Sequence, residues 1–425
     1  MDWNFLIRNK ESLTVTTDSR RVTPGCVFVA LRGEHFDGND FVAQALTDGA
    51  TLVLMEDADK YARLSSADQQ KVILAPAPGG EGRGGVLLLQ DLARAWRREL
   101  GLPIIGITGT NGKTTTKELL AAVLATRFRI HYTQGNLNNS LGVPLTLLQC
   151  TRAHEMAIVE MGASHPGDIR ELVEIAEPNY GLITNVGRAH LQGFGSFEGV
   201  MRTKAELYDY LLAHGETIFL NADNPHLKEM LEVAQKNVNC QLSIVNYHSG
   251  EMPDGTHLVG EYNAENIQAA LCVGEYFGIS REQGLQAIRA YVPTNNRSQH
   301  TVTERNDLVI DAYNANPTSM QAAIHAFATA TANCQQPTCY ILGAMRELGD
   351  YTRLEHQNLV NDLLVRKADR VLLVGPEYRD TTAPYPIFDD VDALIEHLQR
   401  NPLNGYRILI KGSRSNQLEK IIPLL

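Results

Sequence analysis

The run Gly106-Ile107-Thr108-Gly109-Thr110-Asn111-Gly112-Lys113-Thr114-Thr115-Thr116 constrains this chain more than any other stretch. The apolar, β-branched segment Leu102 to Ile107 leads into it and reads as a buried strand. Lys117 to Phe128, rich in leucine and alanine, follows and reads as a helix. A glycine-rich turn from strand to helix aims several backbone N–H groups at one point, and the helix N-terminus adds partial positive charge there. This is a phosphate cradle, with the Lys113 ammonium for the outer phosphates and the Thr114 hydroxyl for a magnesium ion. The generic phosphate loop has glycine five residues before Gly112, where this chain has Ile107 flanked by Gly106 and Gly109. A plain connecting turn is the competing reading; Gly-Lys-Thr in this setting favours nucleoside triphosphate binding.

A chain of 425 residues exceeds one ordinary core, so two or three domains are expected. Its 38 basic and 49 acidic residues give a net charge of -11 without any Lys/Arg run, which argues against a nucleic-acid partner. The six cysteines, at 26, 150, 240, 272, 334 and 339, contain no C-x-x-C pair and read as buried thiols in a reducing compartment. No apolar run approaches the roughly 20 residues of a membrane span. Met1-Asp2-Trp3-Asn4 does not open a signal peptide, so a cytoplasmic protein is expected.

Strands and helices alternate throughout, which predicts an α/β protein of three α/β domains. Residues 1–90 form the first, with strands at Cys26–Leu31 and Thr51–Met55 around a helix at Phe41–Thr47, then a Gly/Pro loop at Pro76–Gly85. Residues 91–101 read as a linking helix at the head of a central domain, 91–293. Its strand candidates are Leu102–Ile107, Ile130–Thr133, Met156–Glu160, Gly181–Val186, Thr217–Asn221 and Leu242–Tyr247. They predict a doubly wound, mostly parallel sheet with ligands at the carboxyl ends of its strands. Residues 294–425 repeat the pattern at Leu308–Asp311, Cys339–Leu342, Arg370–Val374 and Arg407–Lys411, as in a Rossmann-like domain.

Several polar residues follow these strands. Glu160 ends Met156-Ala157-Ile158-Val159 and is placed to hold magnesium near the phosphate loop. His190 lies just past another strand, beside Gly187, and is either structural or a site residue. Lys204 reads from its surroundings as a solvated helix lysine. Asp311 ends a strand and suits either ribose hydroxyls or a helix cap; Arg297 stands near the start of the same domain. Asn263 and Asn266 share a helix face and suit an adenine edge or a backbone loop equally.

The phosphate loop Thr108-Gly109-Thr110-Asn111-Gly112-Lys113-Thr114 resembles the form found in the Mur ligase family, ATP-dependent ligases that build the peptide of bacterial cell-wall precursors. The resemblance spans nearly the whole chain. Thr17-Asp18-Ser19-Arg20, Gly33 and Asp37-Gly38 resemble the family's uridine-nucleotide-binding first domain, and Gly260-Glu261-Tyr262-Asn263-Ala264-Glu265-Asn266 its paired asparagines. Within the family, three segments resemble the branch that uses D-alanyl-D-alanine: Thr133 to Pro144, Asp311 to Pro317, and Lys411-Gly412-Ser413-Arg414. Gly343-Ala344-Met345-Arg346-Glu347-Leu348-Gly349 also fits, although the family usually has an acid where Ala344 stands.

The resemblance implies an enzyme that joins D-alanyl-D-alanine to UDP-N-acetylmuramoyl-tripeptide through an acyl phosphate, with ATP and magnesium. It implies catalytic roles for Lys113, His190 and Lys204, and metal binding by Thr114, Glu160, His190 and Lys204, the last carbamylated by carbon dioxide. ATP would lie on Gly109 to Thr115, Asn266, Arg297 and Asp311, with Asn266 reading adenine. The uridine-nucleotide substrate would meet Ser19, Arg20, Asn136, Asn138 and Asn139. The first domain would bind that substrate, the central one ATP, and the third would complete the ATP and dipeptide sites; a monomer is expected. A sister ligase that adds one amino acid, a folylpolyglutamate-type ligase and a phosphate-loop switch are the alternatives. The sequence leaves open whether the tripeptide ends in meso-diaminopimelate or lysine.

Overall fold

The computed structural model describes residues 1–75, 83–236, 243–293, 299–366 and 368–425. They build three sheets. The first is parallel, with strands Val15–Thr16, Val27–Val29, Leu52–Met55 and Val72–Leu74 in spatial order. Alternation along these short strands sends side chains to opposite faces. Phe28, Val53 and Met55 pack with Val42, Ala45 and Leu46 of the helix Val42–Thr47. Val27, Val29, Leu52 and Leu54 pack against the long helix Gly84–Leu100.

That helix differs from expectation. The segment near Gly84–Leu89 and the linking helix at 91–101 are one 17-residue helix that ends at Gly101, whose φ of 62° only glycine adopts readily. Leu88, Leu89, Leu92, Ala93 and Trp96 recur at three- and four-residue steps and form a single apolar face. They bury into a core shared with Val143, Leu147 and Ala157 of the central unit, where the Trp96 indole donates to the Cys150 carbonyl at 2.9 Å. The expected break between residues 90 and 91 thus falls inside a helix that both units use as core.

The central sheet has six parallel strands in the spatial order Ser243–Tyr247, Thr217–Asn221, Tyr180–Ile183, Ile104–Thr108, Met156–Glu160, Ile130–Tyr132. Ile105, Ile107, Ile158 and Phe219 face the helices Lys113–Leu124 and Asn263–Tyr276. Ile104, Val159 and Ile218 face the opposite layer, which includes Asp168–Ala176 and Phe197–Ala213. From Ile104–Thr108 the chain first builds one side of the sheet and then crosses to build the other. The phosphate loop therefore leaves the strand at the topological switch point, where open α/β sheets bind ligands.

The third sheet runs Gln299–Val302, Asp307–Asp311, Arg407–Lys411, Thr338–Gly343, Arg370–Val374, Ile387–Phe388. Its four apolar strands are those expected. The antiparallel edge strand Gln299–Val302 was not foreseen because Gln-His-Thr-Val, half-exposed, carries no apolar run. Among the described residues no helix is long and apolar enough to cross a membrane.

Candidate active site

A cleft of about 870 Å³ opens at the carboxyl ends of the central strands and is closed on its far side by the third unit. The phosphate loop forms its floor. Gly109 and Gly112 take φ values of 143° and 79°, and a Cβ at Gly112 would meet Asn266 Oδ1 at 2.4 Å. The helix begins at Lys113, four residues before the sequence suggested, because Gly112 turns the chain directly into it. The loop is pinned to the neighbouring strand end: Asn111 N–H donates to Asn185 Oδ1 at 2.9 Å, and Thr184 Oγ1 to the Asn111 carbonyl at 2.6 Å. Lys113 Nζ folds over the loop, donating to the carbonyls of Gly109 at 2.7 Å and Thr110 at 3.1 Å. Gly109 to Lys113 and Thr115 line the cleft. Thr114 lies behind it, buried, and donates its hydroxyl to Glu160 Oε2 at 2.9 Å.

Glu160, 2% exposed, is gripped on both oxygens. Asn138 Nδ2 donates to Oε1 at 2.9 Å, and Lys117 Nζ stands 3.6 Å from Oε2. Lys117 escaped the sequence reading, which took it as the plain start of a helix; its fixed step of four from Lys113 was the available signal.

His190 and Lys204 line the same cleft. His190 has a φ of 50° and sets Nδ1 against Glu347 Oε2 of the third unit. Burial lowers its pKa, ahead of the opposing pull of Glu347. A neutral ring that donates from Nδ1 to a carboxylate keeps a lone pair on Nε2, as a metal-ligating histidine does. Lys204, read from the sequence as solvated, is 2% exposed, with Nζ 5.8 Å from the centre of the Phe194 ring. Burial first, and then the nearby Lys113 charge, hold its pKa well below the usual lysine value. Its helix, Phe197–Ala213, turns this face to the cleft, a placement no local pattern announces.

The carboxylate and hydroxyl here are oxygen donors of the kind a magnesium ion takes when phosphates and water complete its shell, with the imidazole nitrogen the softer donor beside them. Among the described residues no group of three or more His, Cys, Asp or Glu is arranged to hold a metal ion. This donor set therefore fits a metal that arrives with a nucleotide better than one held by the protein alone.

The third unit reaches the cleft through Asp311, Tyr313, Glu347 and Lys411. Asp311 Oδ2 accepts from the buried Lys411 Nζ at 2.5 Å, so neighbouring strand ends pair a carboxylate with an ammonium. Asn316 Nδ2 reaches Asn111 Oδ1 of the phosphate loop at 2.8 Å, and Arg188 reaches the buried Glu355 at 2.9 Å. The two units therefore meet at the loop itself.

Other expected residues sit differently. Asn266 lines the cleft, but its amide accepts from Thr116 Oγ1 and donates to Asn263 Oδ1, both at 3.0 Å. It also stands against Gly112, whose Cβ position would lie 2.4 Å from Asn266 Oδ1. Asn136, Asn138 and Asn139 line the wall beside Glu160. Asn138 is engaged with Glu160, and Asn139 Oδ1 accepts from the Gly142 N–H at 2.8 Å at the start of the helix Gly142–Leu148. Ser19 and Arg20 belong to the first unit and do not line the cleft; Arg20 is exposed and paired with Asp18 at 2.8 Å. Arg297 lies outside the described residues.

Three family models divide the chain: "Mur ligase family, catalytic domain" matches residues 13–97, "Mur ligase middle domain" 107–274, and "Mur ligase, glutamate ligase domain" 296–414. The UDP-N-acetylmuramoyl-tripeptide–D-alanyl-D-alanine ligase of Bacillus subtilis is 33% identical over 96% of this chain and 92% of its own. The chain belongs to the Mur ligase family. The Escherichia coli enzyme of the same name is 32% identical, over 97% of this chain and 93% of its own. Among solved structures, the MurF ligase of Thermotoga maritima in complex with ADP matches with a TM-score of 0.82 and 26% identity, covering 98% of each chain. MurF from Acinetobacter baumannii gives 0.80 and 28%, over 96% of this chain and 92% of its own.

Ala344 stands where the sequence resemblance led to the expectation of an acid. That side chain is fully buried, and a Cβ at Gly375 would lie 2.5 Å from the Ala344 Cβ. Glu377 borders the same spot, with Oε2 2.8 Å from that Gly375 position. A larger acid at 344 would crowd Gly375 and face a second carboxylate, so this packing favours the small residue.

Proposed function

We infer that this protein is the ATP-dependent ligase that joins D-alanyl-D-alanine to UDP-N-acetylmuramoyl-tripeptide, forming the pentapeptide precursor of peptidoglycan. The observation that carries the substrate assignment is the identity of 33% over 96% of the chain to the Bacillus subtilis ligase. The cleft supplies the chemistry. A carboxylate is a poor electrophile, and phosphorylation converts one oxygen into part of a good leaving group. The tripeptide carboxylate attacks the γ-phosphorus of ATP, ADP departs, and the dipeptide amine attacks the acyl phosphate. The tetrahedral intermediate then releases phosphate and leaves an amide.

Lys113 swings from its loop carbonyls to the outer phosphates and offsets the charge that builds during transfer. Magnesium, held by Glu160, His190 and Thr114 with the nucleotide phosphates, would supply Lewis acidity at the transferred group. Lys204, its ammonium form disfavoured by burial, is suited to add carbon dioxide and become a carbamate, an anionic metal ligand. Asp311 grips the ribose, supported by Lys411, and Arg297 meets the phosphates from the same unit. Asn316 and Glu355 bring that unit onto the loop, which excludes the water that would hydrolyse an acyl phosphate. Ser19 and Arg20 serve the uridine nucleotide on the first unit. That one chain supplies both walls of the cleft supports a monomer as the working unit, and the need for ATP and the cysteine thiols support a cytoplasmic location.

The test is ADP release and product mass with tripeptides ending in either meso-diaminopimelate or lysine. D-alanyl-D-alanine is expected to support both ADP release and amide formation, and single amino acids neither. Amide formation with a single amino acid in place of the dipeptide would assign the chain to a sister activity.

A further inference from the structure

Lys117 lies one helical turn beyond Lys113 on the phosphate-loop helix, yet it does not line the cleft and the reaction gives it no part. It is 1% exposed, with its ammonium 3.6 Å from Glu160 Oε2 and 5.7 Å from the centre of the Tyr132 ring. An ammonium and a carboxylate at this depth are each costly alone and tolerable as a pair. Thr114 and Asn138 add hydrogen bonds to the same carboxylate, at 2.9 Å each, but neither brings a full charge. Lys117 therefore meets Glu160 from inside the fold, opposite the side on which ligands arrive.

We propose that Lys117 is a positioning residue that acts as the built-in counter-ion of Glu160. It balances and fixes that carboxylate while no divalent cation is bound, and its charge opposes the cation and so sets the cation's affinity. The inference rests on the reading of Glu160 as a metal ligand. A unit charge about 6 Å from a divalent ion shifts its affinity by on the order of tenfold even when screened as strongly as in water, and by more where screening is weaker.

The experiment is thermal melting of the full chain, with ADP held at a fixed, saturating concentration, while Mg²⁺ is titrated. Lys117→Met keeps length and burial but removes the charge; Lys117→Gln is the second variant, should the first not fold. Without Mg²⁺ the variant is expected to melt below the wild type, the gap to close as Mg²⁺ is added, and the half-saturating Mg²⁺ concentration to fall about tenfold or more. Glu160→Gln is expected to blunt the Mg²⁺ response, and in that background Lys117→Met should no longer alter it. A gap of the same size at every Mg²⁺ concentration, or an unchanged or raised half-saturation point, would overturn the inference and leave Lys117 a core residue. A wild-type Mg²⁺ response in Glu160→Gln would instead overturn the reading of Glu160, and the inference with it.

Discussion

Lys113→Ala is expected to lower ADP release stimulated by both peptide substrates by roughly 10³-fold or more, the scale seen when a cation serving a transferring phosphoryl group is lost. The prediction follows from what Lys113 touches. Its ammonium donates to the carbonyls of its own loop, Gly109 at 2.7 Å and Thr110 at 3.1 Å. Those bonds close a loop already pinned by Thr184 and Asn185, so alanine should leave the fold intact. A folded variant with near-normal turnover would remove the phosphate loop from the reaction.

Lys204→Ala is expected to cost about 10²-fold or more in turnover, the scale of losing one group that stabilises developing charge. Short carboxylates such as formate or acetate should restore part of it. Carbon dioxide adds only to a neutral amine. A solvated lysine is almost wholly protonated near neutral pH, whereas burial and the Lys113 charge lower the Lys204 pKa and enlarge the neutral fraction. Alanine vacates the space into which a small carboxylate can bring back the lost anionic ligand. Failure of rescue in a folded variant would count against a carbamate and leave Lys204 a buried structural amine.

The parts of this molecule that sequence reasoning reached share one property: they are local. The phosphate loop was legible because strand, glycines, lysine and helix follow one another within a few residues. The central strands were legible because a parallel sheet covered on both faces demands short, uniformly apolar runs, as in Met156–Glu160. Glu160 was found by its place at the end of such a run. What escaped depends on distant partners. Nothing near Lys204 says that its helix face closes a cleft, and resemblance alone singled it out. Nothing near Lys117 says that it meets Glu160, 43 residues on, at 3.6 Å. Nothing near Asn138 says that it also donates to Glu160; that contact arises because the loop after Ile130–Tyr132 passes beside the next strand of the sheet. The helix Gly84–Leu100 was expected only from residue 91, because glycine and proline before it read as a loop and its inner face serves two units at once.

The central claim is that ATP is spent on the tripeptide's carboxylate. It is tested most directly by labelling both oxygens of that carboxylate with ¹⁸O and weighing the released phosphate after ligation to D-alanyl-D-alanine. An acyl phosphate transfers one labelled oxygen to phosphate and leaves the other in the new amide. One ¹⁸O in each phosphate, formed with amide in equal amount, is the predicted result. Phosphate free of label would mean that water, and not the carboxylate, takes the γ-phosphoryl group, and would contradict the account.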